Sequence, residues 1–220
     1  MDKQRLKIKL LSDTMIGSGD GFGAIIDSDV VYDEVGIPYI PARRVKGCLR
    51  DSALQVVERL NYAKVELYKK EDIEKIFGKK GSQFSVDIRF DNLFIPDYEK
   101  TKAVFNYMIK NKNDDFNIDS IIDSYTNIRR STEIEDGITK EHSFRTVRVL
   151  NKEITFEGEI VFDKLDDKST HLLALAALNL KRIGSKRTRG LGEIKCFIDN
   201  DELNKQAIDS ISNYKAGGEN

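Results

Sequence analysis

The chain is poor in the residues that build metal sites and disulfide frameworks. It has two cysteines and two histidines in 220 residues. Cys48 and Cys196 fall in a predicted helix and a predicted strand, without metal-ligand spacing. This excludes a disulfide scaffold and a structural zinc site, and fits a reducing compartment. A two-histidine ribonuclease is disfavoured too, because His171 opens an apolar helix while His142 lies in a polar stretch. There is no run of about 18 apolar residues and no leader pattern at the start, so a cytoplasmic location without a membrane partner is expected. A phosphate-binding loop of the nucleotide-hydrolase type is missing. Gly17, Gly19, Gly21 and Gly23 form a glycine-dense loop, but no helix follows directly, which excludes a dinucleotide fingerprint. An excess of positive charge is also missing: 36 Lys and Arg face 37 Asp and Glu, for a net charge of −1. A nucleic-acid binder of this composition must segregate its cations into a few loops.

What is present is a 40% hydrophobic chain, enough for the core of one enlarged domain. Residues 5–11 alternate, with Leu6, Ile8 and Leu10 opposite Lys7 and Lys9, which predicts a half-buried strand. A helix is predicted from Ala42 to about Leu60, with Val45, Cys48, Leu49, Val56 and Leu60 at helical spacing. A short helix is expected over 71–77, a strand through Val86, Ile88 and Phe90, and a helix over 98–110 with Val104, Tyr107 and Met108 as its apolar side. Residues 124–150 are polar, lack a sustained apolar face and carry the turn signal Asp136-Gly137, which predicts a projecting β-hairpin arm. A strand with Ile154, Phe156, Ile160 and Phe162 follows. Ser169 or a nearby Asp caps a nearly all-apolar helix over 171–180, with Gly184 expected at its C′ position. Ile194, Cys196 and Ile198 mark a last strand, and beyond Asn204 only a short helix and a frayed tail are expected. The order defines an α+β, ferredoxin-like (RRM-like) βαββαβ core with inserted helices and a β-hairpin thumb. We expect one domain over 1–204, with an insertion over about 61–123, the thumb over about 124–150, and a tail over 205–220.

Residues 26–54 organise the rest. Pro38 and Pro41 fix the backbone and push Ile37 and Ile40 out of the α region before the helix begins. Arg43, Lys46 and Arg50 share one helix face with Gly47, which leaves a gap among them. Arg43, Arg44 and Lys46 in a first helical turn oppose the helix dipole by roughly 0.3–1 kcal/mol each. A bound phosphate reverses that sign. The same residues also read as a solvated basic helix end beside the acidic loop of Asp27, Asp29, Asp33 and Glu34. A second glycine-rich stretch, 183–192, carries Gly184, Gly190 and Gly192 among Lys186, Arg187 and Arg189. Such glycines let backbone N–H groups approach a phosphodiester while the cations grip it. The alternative is a helix cap followed by an exposed basic turn.

The phrase IDSDVVYDEVGIPYIPARRVKGCLR resembles the RAMP superfamily of CRISPR-associated proteins, in which an I-D-x-P-V loop precedes I-P-G-S-S-L-K-G-x-L-R. It is most similar to the repeated backbone subunit of type III effector complexes. Ala42, Arg43 and Arg44 replace the small Gly-Ser-Ser, and Asp29 stands where proline is usual. Residues 183–192 resemble the family's glycine-rich loop, and the hairpin arm its thumb. The resemblance implies guide RNA, target RNA and other RAMP subunits as partners. It implies RNA contacts from Arg43, Arg44, Lys46, Gly47, Arg50, Gly184, Lys186, Arg187, Arg189, Gly190 and Gly192. On the thumb, Arg129, Arg130 and Arg145 would hold phosphates, while Ile134, Ile138 and Phe144 wedge bases or meet a neighbouring subunit. Asp27 takes the position of the target-cleaving aspartate, with Asp29 as second choice. A wedge that unstacks one nucleotide aligns its 2′-OH for attack. A carboxylate there accepts the proton or holds Mg²⁺ or Mn²⁺ against the phosphate. A non-catalytic scaffold of the same complex and a stand-alone guide-precursor endoribonuclease are the alternatives.

Overall fold

In chain order the elements are β1 (Asp2–Leu10), α1 (Ala42–Tyr62), α2 (Lys70–Phe77), β2 (Ile88–Phe90), α3 (Tyr98–Lys110), α4 (Ile118–Tyr125), β3 (Thr126–Ser131), β4 (Ile134–Glu135), β5 (Ile138–Thr139), β6 (Arg145–Leu150), β7 (Thr155–Phe162), α5 (Asp167–Asn179), β8 (Ile194–Ile198) and α6 (Asp201–Gly217). This computed structural model describes residues 2–19, 26–79, 88–111, 116–132, 134–135, 138–139, 144–185 and 187–217, with the side chains of 134–135, 138–139, 188 and 215–217 left aside. The predicted positions of Val86, the Asp136-Gly137 turn and His142 lie outside the described residues.

Alternation in β1 sets the main sheet. Leu6, Ile8 and Leu10 are fully buried. β1 pairs antiparallel with β7 on one side and β8 on the other, and β2 closes the edge beyond β7, giving the order β2-β7-β1-β8. With α1 and α5 as the two crossovers this is the ferredoxin-like βαββαβ arrangement. The helices pack on one face, where α5 sits among α1, α2 and α6. Leu172, Ala174, Ala176 and Ala177 of α5 are fully buried, as an all-apolar helix requires. Its N-cap is Asp166, whose Oδ1 accepts the Ser169 N–H at 2.7 Å. The opposite face of the sheet carries charge that cancels locally: Lys3–Glu159 at 2.7 Å, Lys7–Asp199 at 2.8 Å and Lys9–Glu153 at 2.6 Å.

The start of α1 is fixed from outside the helix. Ile40 and Leu93 exchange backbone hydrogen bonds, each 2.9 Å, and Asn92 Oδ1 accepts the Ala42 N–H at 2.8 Å. Residues 92–94 lie across β7, where Gly158 makes room: a Cβ there would sit 2.6 Å from the Leu93 side chain and 2.7 Å from the Asn92 carbonyl oxygen. Pro41 occupies the N-cap with φ −61°, and no acid stands in the first turn.

Four expectations are corrected. In α3 the apolar side is reversed, with Val104 and Tyr107 53% and 70% exposed while Phe105 and Ile109 pack against the cluster of Val35, Ile37 and Ile121. Residues 124–125 belong to α4, so the arm begins at Thr126. The tail is a 17-residue helix, α6, that buries Leu203 and Ala207 against the core. Gly184 is not the C′ residue, because α5 ends at Asn179 with Leu180 as its C-cap. Its positive φ of 85° serves a close approach instead: any Cβ would collide with the Met15 carbonyl.

Candidate nucleic-acid interface

The arm is built from β3 and β6 in antiparallel register, from Thr126 opposite Leu150 to Ser131 opposite Arg145. Its base does not project. Val147, Val149 and Leu150 are buried, and Met15 and Leu191 cover the two valines. The acidic loop lies along the free edge of β6 as a short parallel strand. Asp27 N–H donates to the Thr146 carbonyl at 2.9 Å, and Arg148 N–H to the Ser28 carbonyl at 3.1 Å. Along such an edge residues alternate between two sides, so Asp27 and Asp29 point to the same side. Their surroundings differ. Asp27 is exposed, with one carboxylate oxygen accepting the Thr146 N–H at 2.7 Å and the other 3.4 Å from Arg145. The Thr146 N–H lowers the Asp27 carboxyl below the ordinary carboxylate range, against burial and with help from Arg145. Asp29 is 4% exposed. Its carboxylate accepts from Val30 N–H at 2.8 Å and pairs with Arg148 at 3.1 Å. Asp29 therefore anchors the loop: it lines the same hollow as Asp27, but its carboxylate is already engaged by Arg148 and the Val30 N–H.

Behind the loop, Asp33 is a buried hub. Its Oδ1 accepts the N–H groups of Val35 and Ile37, and its Oδ2 the hydroxyl of Tyr98 at 2.8 Å. Lys102 lies 3.7 Å from Asp33 and 2.6 Å from Glu34, and its hydrogen bond to Glu34 raises its pKa. Helix α3 thus holds the turn that delivers the chain from the acidic loop to Pro38.

Asp27 opens onto a hollow of 240 Å³ lined also by Met15, Gly17, Gly19, Ser28, Asp29, Arg44 and Ser185. Arg44 donates to the Gly17 carbonyl at 2.9 Å. The 183–192 loop borders it through Ser185, whose N–H donates to the Met15 carbonyl at 3.0 Å. A 3₁₀ turn, Arg187–Arg189, then presents both arginines to solvent. Gly190 has φ 74° with nothing near a prospective Cβ, while Gly192, at φ 79°, presses on the Ile183 carbonyl. Gly190 also borders a 560 Å³ hollow with Asn127, Lys152 and Arg129, whose guanidinium is held 2.6 Å from Asp13. Arg130 is exposed, as is Phe144 at 57%. Lys186 lies outside the described residues, as do the side chains of Ile134 and Ile138.

The predicted helix set divides into two flanks. Arg43 is exposed, and Lys46 places its ammonium 6.0 Å from the Phe90 ring centroid, on the β2 side. Arg50 is half-buried, and Gly47 is exposed with nothing within 4 Å of a prospective Cβ. Packing therefore does not require glycine at 47, although glycine inside a helix costs about 1 kcal/mol relative to alanine. The glycine loop lies on the other flank, beside Arg44 and Cys48. Two residues escaped sequence reading: Thr146, through its N–H, and Arg148. Arg148 alternates with Val147 and Val149, and a lone cation in such a run signals a buried acid partner. On the open face of the sheet, Lys3, Lys7 and Lys9 are matched by carboxylates.

A ferredoxin-like sheet with an inserted arm, an edge-bound acidic loop and a glycine-rich basic loop defines an RRM-like protein. The RAMP superfamily model matches residues 7–195, and the chain belongs to that family. Among solved structures it is similar to a chain of the Type III-B Cmr-beta complex bound to cognate target RNA, with TM-score 0.66, 14% identity, and coverage of 91% of this chain and 98% of that one. A chain of the same complex in the apo state gives TM-score 0.64, 15% identity, and coverage of 90% and 98%. No curated protein matches the chain.

Proposed function

We propose that this chain is an RNA-binding backbone subunit of a type III CRISPR ribonucleoprotein, acting in the cytoplasm in antiviral defence beside other RAMP subunits. It holds guide RNA and cleaves the paired target RNA at Asp27. The observation that carries the reading is the placement of one exposed carboxylate at the mouth of a hollow bordered by two glycine-rich segments, Arg44 and Arg145. One of the structures it resembles is Type III-B Cmr-beta bound to cognate target RNA, which supports the same reading.

Asp27 suits some roles better than others. A general base works best with a pKa near the operating pH, and the Thr146 N–H moves Asp27 the other way. A carboxylate that stays ionised suits charge stabilisation or metal binding. Among the described residues there is no group of three or more His, Cys, Asp or Glu that forms a metal cage. Mg²⁺ is commonly held by one or two carboxylates plus substrate phosphates, so Asp27 alone fits an ion shared with RNA. When bound, Mg²⁺ or Mn²⁺ would offset phosphate charge. Asp27 would help orient it, and Arg44, Arg145, Arg187 and Arg189 would hold the strand. The phosphate grip extends on this reading to Arg43, Lys46, Arg50, Arg129, Arg130 and Lys186, and close backbone approach to Gly47, Gly184, Gly190 and Gly192.

The test is cleavage of a guide-matched RNA by the assembled complex with a divalent ion present. Asp27→Ala should lower the rate by about 10²–10⁴ and leave guide retention unchanged. Unchanged cleavage in the variant would remove Asp27 from the chemistry. The second reading, a non-catalytic scaffold, draws on the occupation of both Asp27 carboxylate oxygens by Thr146 and Arg145. It predicts RNA retention with no cleavage in the unmodified chain.

A further inference from the structure

One face of α1 is used by the site above only at its first residue, Arg44. Arg44, Cys48, Asp51, Gln55 and Arg59 follow at three- and four-residue spacing, so they form one stripe along the helix. Arg44 begins that stripe at the Asp27 hollow. From Arg44 to Arg59 it runs roughly 22 Å at 1.5 Å per residue. Its far half forms one wall of a second hollow of 340 Å³, within the ligand-sized range of about 300–1,000 Å³. The opposite wall is the end of α5 and the segment after it, with Asn179, Lys181 and Arg182, and Arg187 of the glycine loop closes the side nearest Asp27.

The lining is organised. Ser52, 2% exposed, donates to the Ala176 carbonyl at 2.7 Å and accepts from Asn179 Nδ2 at 3.0 Å. Asn179 Oδ1 in turn accepts from the Arg59 guanidinium at 2.7 Å. Arg182 donates to the Arg187 carbonyl and so ties the strand after α5 to the glycine loop. Four cations, Arg59, Lys181, Arg182 and Arg187, stand around the hollow against one carboxylate, Asp51. In a chain of net charge −1 such a local excess is a segregated patch. The Gln55 amide between the cations adds hydrogen-bonding surface of the kind a base edge uses, while the Asn179 amide is taken up by Ser52 and Arg59.

We infer that this hollow is a binding site for a single-stranded ribonucleotide segment, entered from the Asp27 hollow past Arg187 and continuing along α1 to Arg59. The inference rests on the RNA-binding part of the proposed function and is independent of cleavage. Phosphates meet Arg59, Lys181 and Arg182, while one base faces Gln55. An RNA that leaves the cleavage site along α1 makes these contacts before it leaves the subunit.

The experiment uses the full chain and a short fluorescein-labelled oligouridylate, with affinity measured by anisotropy over a range of salt concentrations. Each phosphate contact on a single strand contributes about 0.7 to the slope of log affinity against log salt, so replacing three cations should flatten it by about 2. The variant is Arg59→Gln/Lys181→Gln/Arg182→Gln, with retained circular dichroism as the check on folding. The control is Lys205→Gln on the exposed side of α6, which should leave the slope unchanged. A triple variant with the slope of the unmodified chain overturns the inference and leaves the wider RNA-binding reading intact. Flattening by Lys205→Gln of about 0.7, a third of the triple variant's for a third of its charge, overturns it as well, because the effect is then one of total charge. An unmodified chain that binds no RNA overturns both, and so marks the failure of the parent reading separately.

Discussion

Replacing Arg148 by methionine tests how the acidic loop is held. The Arg148 and Asp29 side chains are 11% and 5% exposed and 3.1 Å apart, so both charges have left water. Methionine keeps most of the volume and removes the charge. Asp29 would then keep its bond from the Val30 N–H and its contact with the Tyr32 hydroxyl. Removing one partner of a buried pair costs about 3–5 kcal/mol, because the other charge is left uncompensated. The pair is imperfect, since Arg148 Nε is buried with no partner among the described residues, which favours the lower end, about 3 kcal/mol. For 220 residues, at about 2–4 °C per kcal/mol, melting should fall by roughly 6–12 °C. The chain has no tryptophan, so circular dichroism is the suitable probe. The double variant Asp29→Leu/Arg148→Met should recover most of the loss, because apolar residues can replace a buried pair at little cost. A single variant that melts within a degree or so of the unmodified chain, or a double variant that loses the sum of two single losses, would refute this account.

Three further outcomes are expected. Gly47→Ala should stabilise the free chain by about 1 kcal/mol while weakening guide retention; tighter retention would show that no backbone approaches position 47. Gly192→Ala should lower the melting temperature sharply, since a Cβ there collides with the Ile183 carbonyl at a φ of 79°; an unchanged melt would contradict the loop geometry. Asp27 has a lowered pKa, so its contribution to stability is fully present above its unfolded value, about 3.9, and is lost as pH falls through the folded value. The drop in melting temperature from pH 6 to pH 3 should therefore be smaller in Asp27→Asn; an equal drop would show that the carboxylate is not held by Thr146.

Much of the fold was legible because it is local. The period of two in β1 and the Asp166 cap of α5 depend on residues close in sequence. The face of α3 was not legible, since apolar residues occur on both sides. Phe105 and Ile109, not Val104 and Tyr107, are buried because Val35, Ile37 and Ile121 lie on their side. The acidic loop shows the same limit. Asp27 and Asp29 are chemically equal in the sequence, and Arg148, 119 residues away, decides which one faces outward. The length and docking of α6, expected only as a short helix, were not legible because Leu203 and Ala207 make only a thin apolar stripe, which becomes a core contact once α5 stands beside it.

The pairing of the acidic loop with β6 has a consequence for how this arm can change in length. Side chains alternate along both partners, so a shift of one residue turns every side chain over. One residue inserted between Arg145 and Val149 would shift the bridge to Asp27 and Ser28 by one, and would turn over the β6 side chains that pair with β3 and cover Met15 as well. Two inserted residues would restore the orientation. At the far end of the arm, between Ser131 and Arg145, length is not bound to Asp27 in this way. The arm's base is therefore under a parity rule for insertions and deletions, while its reach can lengthen or shorten by any number of residues without moving the carboxylate.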